Sequence, residues 1–383
     1  MTSARLALPL AAGLLLTGCV AQGDGSTGTT VTVGSTADAC TLSAVEAPAG
    51  RVTFEVTNAG TSVTEFYVLG ADGTSIVAEV ENIGPGLSRE LVTSLDAGDY
   101  VTACKPGQTG DGIRGDFTVT AGAEAAATTS PELAAAEAEY LEYVREETAA
   151  LVTGTGEFAA AYSAGRDDEA RAAYPVVRAH WERIEPVAES FGTLDPLLDA
   201  READLADGET WSGWHYIEKD LWPPAGSDYT PLTPAQRADA AEQLVSLTAE
   251  LSDKVTAPDF TVAAFQVSNG AAELLAEGAT GKITGEEEIW SGTDLWDMQA
   301  NVEGAEAAWE ALRAHATAND AGLAELIDAR FATLTALLAQ HGSIDSGFTL
   351  YGELSAEEVT ALAAAVDGLS EPLSRLTHVV TGA

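Results

Sequence analysis

Alternating apolar and polar positions dominate the chain between residues 31 and 120. In the segment RVTFEVTN, Val52, Phe54 and Val56 alternate with polar residues, which is the pattern of a strand with one buried face. The segment TEFYVLGADGTSIVAEV predicts two strands joined by a hairpin at its Asp-Gly pair. Further short strands follow at regular spacing, so we expect this region to form a β-sandwich.

Helical periodicity replaces this alternation after a linker at residues 121–130, and it continues through residues 131–383. Ser130 followed by Pro131 is typical of the start of a helix, and Ser355 with Glu358 forms a capping-box pattern. Leu, Ala and Val recur at helical spacing after such starts. The second region is therefore predicted to be all-α, as one bundle or two stacked bundles.

The first residues, MTSARLALPLAAGLLLTGC, have the features of a secretory signal. One early basic residue precedes an apolar run that is too short to span a membrane stably, and small residues follow before Cys19. The ending LLTGC matches the cleavage pattern of bacterial lipoproteins. We expect residues 1–18 to be removed and Cys19 to carry a lipid, with a plain cleaved signal as the alternative. Residues 19–30 would then form a polar tether that holds the protein in the cell envelope, on the outer (periplasmic or extracellular) face of the cytoplasmic membrane.

Acidic residues outnumber basic ones, with 60 Asp and Glu against 18 Lys and Arg and a net charge of −42. Such a surface repels nucleic acid and anionic lipid and attracts cations. We therefore expect no nucleic-acid partner. Solubility or adaptation to salt is the alternative explanation, and most of these acids are expected to be solvated.

The segment WSGWHYIEKDLW carries the strongest candidate chemistry. His215 and Glu218 are three residues apart, so on a helix they share one face. Helical bundles hold iron or manganese with glutamates and a Glu-x-x-His motif, which here is reversed to His-x-x-Glu. Carboxylates with an imidazole suit iron, manganese or zinc, whereas a solvated acidic face with a packed histidine is the alternative. The upstream acids that could join them are Glu182, Glu185 and Glu189, whose i, i+3, i+7 spacing predicts a single acidic stripe on one helix, and then Asp195 and Asp199.

The predicted sandwich lacks the ligands of a blue-copper centre. All five histidines lie in the helical region, and the only methionine besides the initiator is Met298. A metal in the sandwich would have to be held by Cys40, Cys104 and a carboxylate such as Glu65. A disulfide between the two cysteines is an equal alternative, since paired cysteines in an exported protein commonly oxidise.

No catalytic constellation is present in the sequence. A zinc protease of the H-E-x-x-H type needs a second histidine four residues after the first, but Lys219 occupies that position after His215. The chain also lacks a G-x-S-x-G nucleophile elbow, and its helical region has no cysteine to act as a nucleophile. We therefore expect a binding protein rather than an enzyme.

Four segments give the chain a strong resemblance to the EfeO family of extracytoplasmic iron-uptake proteins. They are ERIEPVAESFGTLDP, WSGWHYIEKDLW, GKITGEEEIWSGTDLWDMQANVEG and EVENIGPGLSRELV with the following GDYVTACKPGQTGDGIRGDFTVT. The resemblance implies a multidomain chain, with a cupredoxin-like all-β sandwich at residues 31–120 followed by an imelysin-like all-α domain, a double four-helix bundle, at residues 131–383.

The resemblance also implies two metal sites. In the helical domain the family's H-x-x-E motif falls on His215 and Glu218, its acidic pair falls on Glu182 and Glu185, and Asp199 is a further ligand. In the sandwich the family's site falls on Cys40, Cys104 and Glu65. Two additional ligand candidates in the second half of the helical domain are Glu273 and Asp294.

The function that the resemblance implies is that of an iron-binding lipoprotein. It would capture ferrous iron, with oxidation as a further step, and deliver it to an iron permease of the same uptake system, beside a haem peroxidase partner. The cargo would be Fe²⁺ or Fe³⁺, with copper or zinc as alternative metals. A metal-dependent peptidase of the imelysin-like family is the alternative function, and an adhesion or polysaccharide-binding lipoprotein with a structural disulfide is a second one.

Overall fold

The computed structural model describes residues 29–71, 73, 76–95, 97–121, 130–205, 208, 210–224, 226, 229–280 and 284–381. The predicted signal peptide, the lipidation site at Cys19 and most of the predicted linker lie outside these ranges. None of the described helices is both long enough and apolar enough to cross a membrane.

The N-terminal region contains two β-sheets. Its strands are β1 (Thr29–Ser35), β2 (Cys40–Leu42), β3 (Glu46–Pro48), β4 (Gly50–Asn58), β5 (Thr64–Leu69), β6 (Ile76–Ile83), β7 (Ser88–Leu95), β8 (Gly98–Cys104) and β9 (Ile113–Thr120). One sheet has the order β2-β1-β4-β7 and the other β3-β9-β8-β5-β6. The pairs β1/β4 and β3/β9 are parallel, and the remaining neighbours are antiparallel.

Apolar side chains from both sheets form one core between them. Phe54 of the first sheet packs against Phe66 and Phe117 of the second, with ring centroids 5.2 and 5.4 Å apart. Val52, Phe54 and Val56 are all buried, as the alternation predicted. The predicted hairpin joins β5 and β6, although Asp72 of its turn lies outside the described residues. These observations confirm the predicted sandwich.

Cys40 and Cys104 are joined in a disulfide. Cys40 lies on β2 and Cys104 on β8, so the bond connects the two sheets across the core. This corrects the expectation that both cysteines serve as metal ligands, because a sulfur in a disulfide is not a thiolate and cannot bind a metal as one. Of the two alternatives that the sequence left open, the structure contains the disulfide.

The C-terminal region is helical, with a short ribbon between its eighth and ninth helices. The helices are α1 (Pro131–Ser163), α2 (Asp167–Glu182), α3 (Leu194–Asp199), α4 (Trp214–Leu221), α5 (Pro234–Thr256), α6 (Ala264–Thr280), α7 (Asp294–Asn319), α8 (Ala321–Leu338), α9 (Ala356–Leu373) and α10 (Leu376–Thr381). The ribbon consists of β10 (Gly342–Ser343) and β11 (Gly347–Phe348). The predicted starts are confirmed: Ser130 caps α1 with Pro131 in its first turn, and Ser355 forms a capping box with Glu358 at α9.

The helices pack in two groups of four that share the long helix α7. Helices α1, α2, α5 and α7 form the first group, and α6, α7, α8 and α9 form the second. A 3₁₀ segment, Glu185–Phe191, follows α2 and packs against α6 and α7. Helix α2 ends at Glu182, and the 3₁₀ segment begins at Glu185 with Pro186 in its first turn, where proline has no amide hydrogen to continue the α-helical bonding to the carbonyl of Glu182. The expected acidic stripe of Glu182, Glu185 and Glu189 on one helix is therefore wrong.

The sandwich contacts the helical region through β6, β7 and α6. Asn269 donates a hydrogen bond to the carbonyl of Val92 at 3.1 Å, and Arg51 donates one to the carbonyl of Thr381 at 3.0 Å. Three interdomain glutamates, Glu79, Glu189 and Glu273, meet at this contact, where Glu189 hydrogen-bonds both of the others. Burial is the largest cause, and the charges of neighbouring carboxylates the next, that raise the pKa values of Glu79 and Glu273 well above those of an ordinary glutamate.

Candidate metal centre

Helix α4 begins against the end of α3, and this contact brings Asp199 beside His215. Gly213 has φ 86°, and a Cβ there would lie 2.0 Å from the carbonyl oxygen of Leu198, so only glycine fits. Ser212 donates a hydrogen bond to the carbonyl of Leu197 at 2.7 Å, which fixes the same approach. The two ends are thereby held together although α3 and α4 are separate in the sequence.

His215 is buried and faces carboxylates on both sides of its ring. Nε2 lies 3.5 Å from Asp199 Oδ1 and 3.5 Å from Glu287 Oε1. Nδ1 lies 3.4 Å from Glu218 Oε2 and 3.8 Å from Glu288 Oε1. Two sets of ligand atoms, each within 4.8 Å of one another, can hold a metal ion among the described residues: Asp199, His215 and Glu287, and His215, Glu218 and Glu288.

The Nε2 atom of His215 is buried and makes no hydrogen bond of ordinary geometry within the described parts of the chain, although Asp199 and Glu287 lie at ion-pair distance from it. A buried polar atom normally has such a partner, because leaving it unsatisfied is energetically costly. Its two nearest carboxylate oxygens come from α3 and from the loop before α7. A nitrogen that faces two carboxylates in this way is chemically suited to bind a cation between them.

Glu218 is held by the loop that precedes α7. Its Oε1 accepts hydrogen bonds from the backbone amides of Trp290 at 3.0 Å and Ser291 at 2.7 Å. Burial alone would raise the pKa of Glu218, but the imidazole of His215 and the amide of Ser291 lower it below its ordinary value. Glu218 is therefore ionised at neutral pH and available as an anionic ligand.

The same loop supplies Glu287 and Glu288. Glu288 accepts hydrogen bonds from the hydroxyl of Tyr174 at 3.0 Å and from that of Ser291 at 2.7 Å. Its backbone amide donates to Asp294 at 3.2 Å. Burial followed by the charge of Glu218 raises the pKa of Glu288 well above its ordinary range, and burial raises that of Asp294 to about 6. A cation at the centre would favour the ionised form of both.

Arg178 of α2 lies at the back of this centre and is fully buried. Its guanidinium forms ion pairs with Glu182 at 2.8 Å, Glu287 at 3.1 Å, Glu288 at 2.8 Å and Asp297 at 3.3 Å, and also with Asp199. A planar guanidinium has five N–H donors and can therefore hold several carboxylates together. These contacts bring α2, α3, α7 and the loop before α7 to one point.

The protonation of His215 follows from these charges. Burial and the charge of Arg178 lower the pKa of the imidazole, but Glu218, Glu287 and Asp199 outweigh them and raise it to about 9. The metal-free imidazole is therefore protonated at neutral pH. A metal that binds the ring must displace that proton.

The remaining predicted ligands lie at different depths around the centre. Glu182 contacts Arg178, and Asn301 donates hydrogen bonds to Glu182 at 2.8 Å and to Glu185 at 2.6 Å. Neither glutamate belongs to the two ligand sets found around His215 in the described residues. Their direct coordination of a metal stays a prediction. Glu273 lies with the interdomain glutamates.

Glu65 of the sandwich is buried and already engaged by neighbouring side chains. Tyr67 donates a hydrogen bond to its Oε2 at 2.8 Å, and Gln108 donates one to its Oε1 at 2.8 Å. Lys105 lies 3.8 Å away. Its role as a metal ligand stays a prediction, and the disulfide removes the thiolates that were expected beside it.

Aromatic side chains cover the outer side of α4. The ammonium of Lys219 lies 5.6 Å from the ring centre of Trp211, 5.5 Å from that of Tyr229 and 5.2 Å from that of Trp290, and it forms an ion pair with Glu202. These contacts connect the loop before α4 to the loop before α7.

An open cavity of about 1070 Å³ lies on the other side of the loop before α7. Its lining includes Glu288, Ser291 and Asp294 together with Leu350 and Tyr351. The cavity therefore lies next to the candidate centre at Glu288, whose own side chain is fully buried.

Glu287, Glu288 and Arg178 are functional candidates that the sequence reasoning missed. The run of glutamates in GKITGEEEIWSG was visible, but spacing alone could not show which of them are buried. Glu286 is exposed, whereas Glu287 and Glu288 are buried. Arg178 stands four residues before Glu182, so it was visible as a helix-face neighbour of a predicted ligand.

Comparison with known proteins agrees with this architecture. A family model described as a cupredoxin-like domain matches residues 8–119, and one described as imelysin matches residues 136–376. The iron uptake system component EfeO of Yersinia pestis is 36% identical over 352 residues, covering 89% of this chain and 88% of that protein. The chain belongs to the EfeO family. The EfeO protein of Escherichia coli strain K12 is 35% identical over 347 residues, with 89% and 88% coverage. The cupredoxin-like and imelysin domains expected from the resemblance are thereby confirmed, in the expected order.

Proposed function

We propose that this protein captures iron outside the cytoplasmic membrane and passes it to an iron permease. The membership in the EfeO family supports a part in iron uptake, since its relatives are named as components of an iron uptake system. The single observation that supports the binding site is the buried Nε2 of His215, which faces oxygens of Asp199 and Glu287 at 3.5 Å each. Nitrogen and carboxylate donors of this kind suit iron in either oxidation state.

The proposed ligands are His215, Asp199, Glu218, Glu287 and Glu288. They come from α3, α4 and the loop before α7, so the site exists only in the folded chain. Glu182 and Glu185 are proposed to act beside them, with Asn301 holding the pair together. The acidic composition would raise the local cation concentration around the site.

Anaerobic titration calorimetry of the mature chain with Fe²⁺ tests the site. We expect Glu287→Gln and His215→Ala to weaken binding at least tenfold. Glu286→Gln and His378→Ala are matched controls, because these side chains are exposed and of the same types. Wild-type affinity in both site variants would exclude the proposed site, and parallel titrations with Zn²⁺ and Cu²⁺ would rank the alternative metals.

The attachment and the partners are proposed with the function. A lipid on Cys19 would keep the protein beside the permease and the haem peroxidase partner. Cys19→Ala should then release the protein from the membrane fraction in fractionated cells. Retention of that variant in the membrane fraction would contradict a lipid anchor at this residue.

A metal-dependent peptidase is the alternative function, and the family designation of the imelysin domain as peptidase M75 is what favours it. The contacts of Glu218 speak against it, since two backbone amides and the His215 ring occupy the carboxylate that would have to act as a base. Incubation of the zinc-loaded or iron-loaded chain with denatured casein separates the two functions. Cleavage that a chelator abolishes and that Glu218→Gln loses would support the peptidase.

A further inference from the structure

Arg178 and the imidazole of His215 contact the same three carboxylate oxygens. Asp199 Oδ1 pairs with the guanidinium and lies 3.5 Å from His215 Nε2. Glu287 Oε1 lies 3.1 Å from Arg178 Nη2 and 3.5 Å from His215 Nε2. Glu288 Oε1 lies 2.8 Å from Arg178 Nε and 3.8 Å from His215 Nδ1. Each of these oxygens therefore stands between the guanidinium and the imidazole.

The guanidinium is a fixed positive charge at this position. Its side chain has no exposed surface, and an arginine keeps its proton at any pH at which the protein is folded. A cation bound to His215 and to these oxygens would have the positive charge of Arg178 close by, on the opposite side of the same oxygens. Water does not screen the repulsion between them, because both lie in the interior.

We propose that Arg178 is a specificity-determining residue of the centre, which discriminates against trivalent cations in favour of divalent ones. The proposal rests on the proposed iron function and names which charge state the site favours. The repulsion grows in proportion to the charge of the bound ion, whereas the carboxylates on their own attract the trivalent ion more strongly. Arg178 thus offsets the ordinary preference of oxygen ligands for ferric iron. A site that holds iron as Fe²⁺ also releases it more readily to a permease.

The ratio of two dissociation constants measures this role. Mn²⁺ and Ga³⁺ are stable in air and carry the charges of ferrous and ferric iron without changing oxidation state. Their affinities for the mature chain are measured by competition with nitrilotriacetate, in wild type, Arg178→Gln, Arg178→Lys and Arg166→Gln. Arg166 is the matched control, since it pairs with Glu169 at the surface start of the same helix.

Arg178→Gln should raise the affinity for Ga³⁺ relative to that for Mn²⁺ at least tenfold, because glutamine keeps hydrogen-bond donors but carries no positive charge. Arg178→Lys keeps the charge, so its ratio should stay within threefold of wild type, as should that of Arg166→Gln. An unchanged ratio in a folded Arg178→Gln variant would overturn the proposal, because a residue that only supports the fold weakens both ions alike. If that variant does not fold, a ratio in Arg178→Lys shifted by more than threefold would overturn it.

Failure of the iron function would be seen separately. Mn²⁺ affinity that is unchanged in His215→Ala would exclude the site itself, whatever the Arg178 variants show. Loss of Mn²⁺ in His215→Ala with an unchanged ratio in Arg178→Gln would leave the site in place and exclude only the selectivity role.

Discussion

The disulfide between Cys40 and Cys104 gives the sharpest prediction about stability. It joins the two sheets of the sandwich across 64 positions of sequence. The loop-closure entropy that such a bond removes from the unfolded chain corresponds to about 4 kcal/mol at room temperature. Because small domains have stabilities of about 5–15 kcal/mol, the bond is a large part of what keeps the sandwich folded. The perturbation is Cys40→Ala with Cys104→Ala.

Hydrogen exchange followed by mass spectrometry resolves the effect within the chain. About 4 kcal/mol corresponds to a factor of about 10³ in the population of the open form, since each 1.4 kcal/mol is a factor of ten. The slowest amides of β4 and β8 should therefore exchange about 10³ times faster in the double variant. Peptides from α1 and α5 should change little and serve as the internal reference. All seven tryptophans also lie in the helical region, so their fluorescence follows the unfolding of that region alone.

Reduction of the wild-type chain is the matched control, because it breaks the bond and keeps both sulfur atoms. The reduced protein and the double variant should lose the same protection, apart from the small cost of the methyl side chain at the buried position 104. A loss below tenfold in β4 and β8 would refute the reasoning that the bond constrains the unfolded state. An equal loss in α1 and α5 would show instead that the two regions unfold as one unit.

Three further predictions concern the interface, the start of α4 and its aromatic cover. Glu189→Gln should stabilise the chain by about 1–2 kcal/mol at pH 8 in urea titrations, and Glu90→Gln, at an exposed site, should not. The interdomain glutamates have raised pKa values in the folded chain, so their destabilisation of the fold is complete above those values and disappears as the pH falls towards 4.5. A stabilisation by Glu189→Gln that grows at low pH would contradict this pH dependence. Gly213→Ala should lower the stability by about 2–3 kcal/mol, seen as a lower Tm, because its Cβ would meet the carbonyl of Leu198; an unchanged Tm would show that this approach can relax. Lys219→Met should cost less than about 1 kcal/mol in urea but speed the transfer of bound Mn²⁺ to a chelator, and an unchanged transfer rate would exclude a role of the aromatic cover in metal release.

The elements that the sequence predicted well are those determined by local physical chemistry. The alternation around Phe54 and the capping residues Ser130 and Ser355 act within a few residues of themselves, and the structure has each of them as expected. His215 and Glu218 belong to the same class, because a spacing of three on one helix fixes their common face. The disulfide could not be separated from a metal site in this way, since pairing depends on how two sheets come together.

The rest of the centre depends on contacts between residues that are far apart in the chain. Glu287 reaches His215 only because the loop before α7 folds over α4, where Glu218 accepts the amides of Trp290 and Ser291. No periodicity within that loop distinguishes the buried Glu287 from the exposed Glu286. Burial of an acid beside a buried arginine is a property of the tertiary fold, and charge counts predict the opposite, a solvated surface.

The end of α2 separates the acids of the predicted stripe into two clusters. A continuous helix would have carried Glu182, Glu185 and Glu189 on one face, but α2 ends at Glu182 and a 3₁₀ segment begins at Glu185. Glu182 consequently pairs with Arg178 in the candidate metal centre, while Glu189 hydrogen-bonds the other interdomain glutamates. Acids that would repel each other on a single face are divided between a cluster that contains an arginine and one in which the pKa values of Glu79 and Glu273 are raised. The net charge of the chain therefore includes two separate groups of buried acids, and the break between α2 and the 3₁₀ segment keeps them apart.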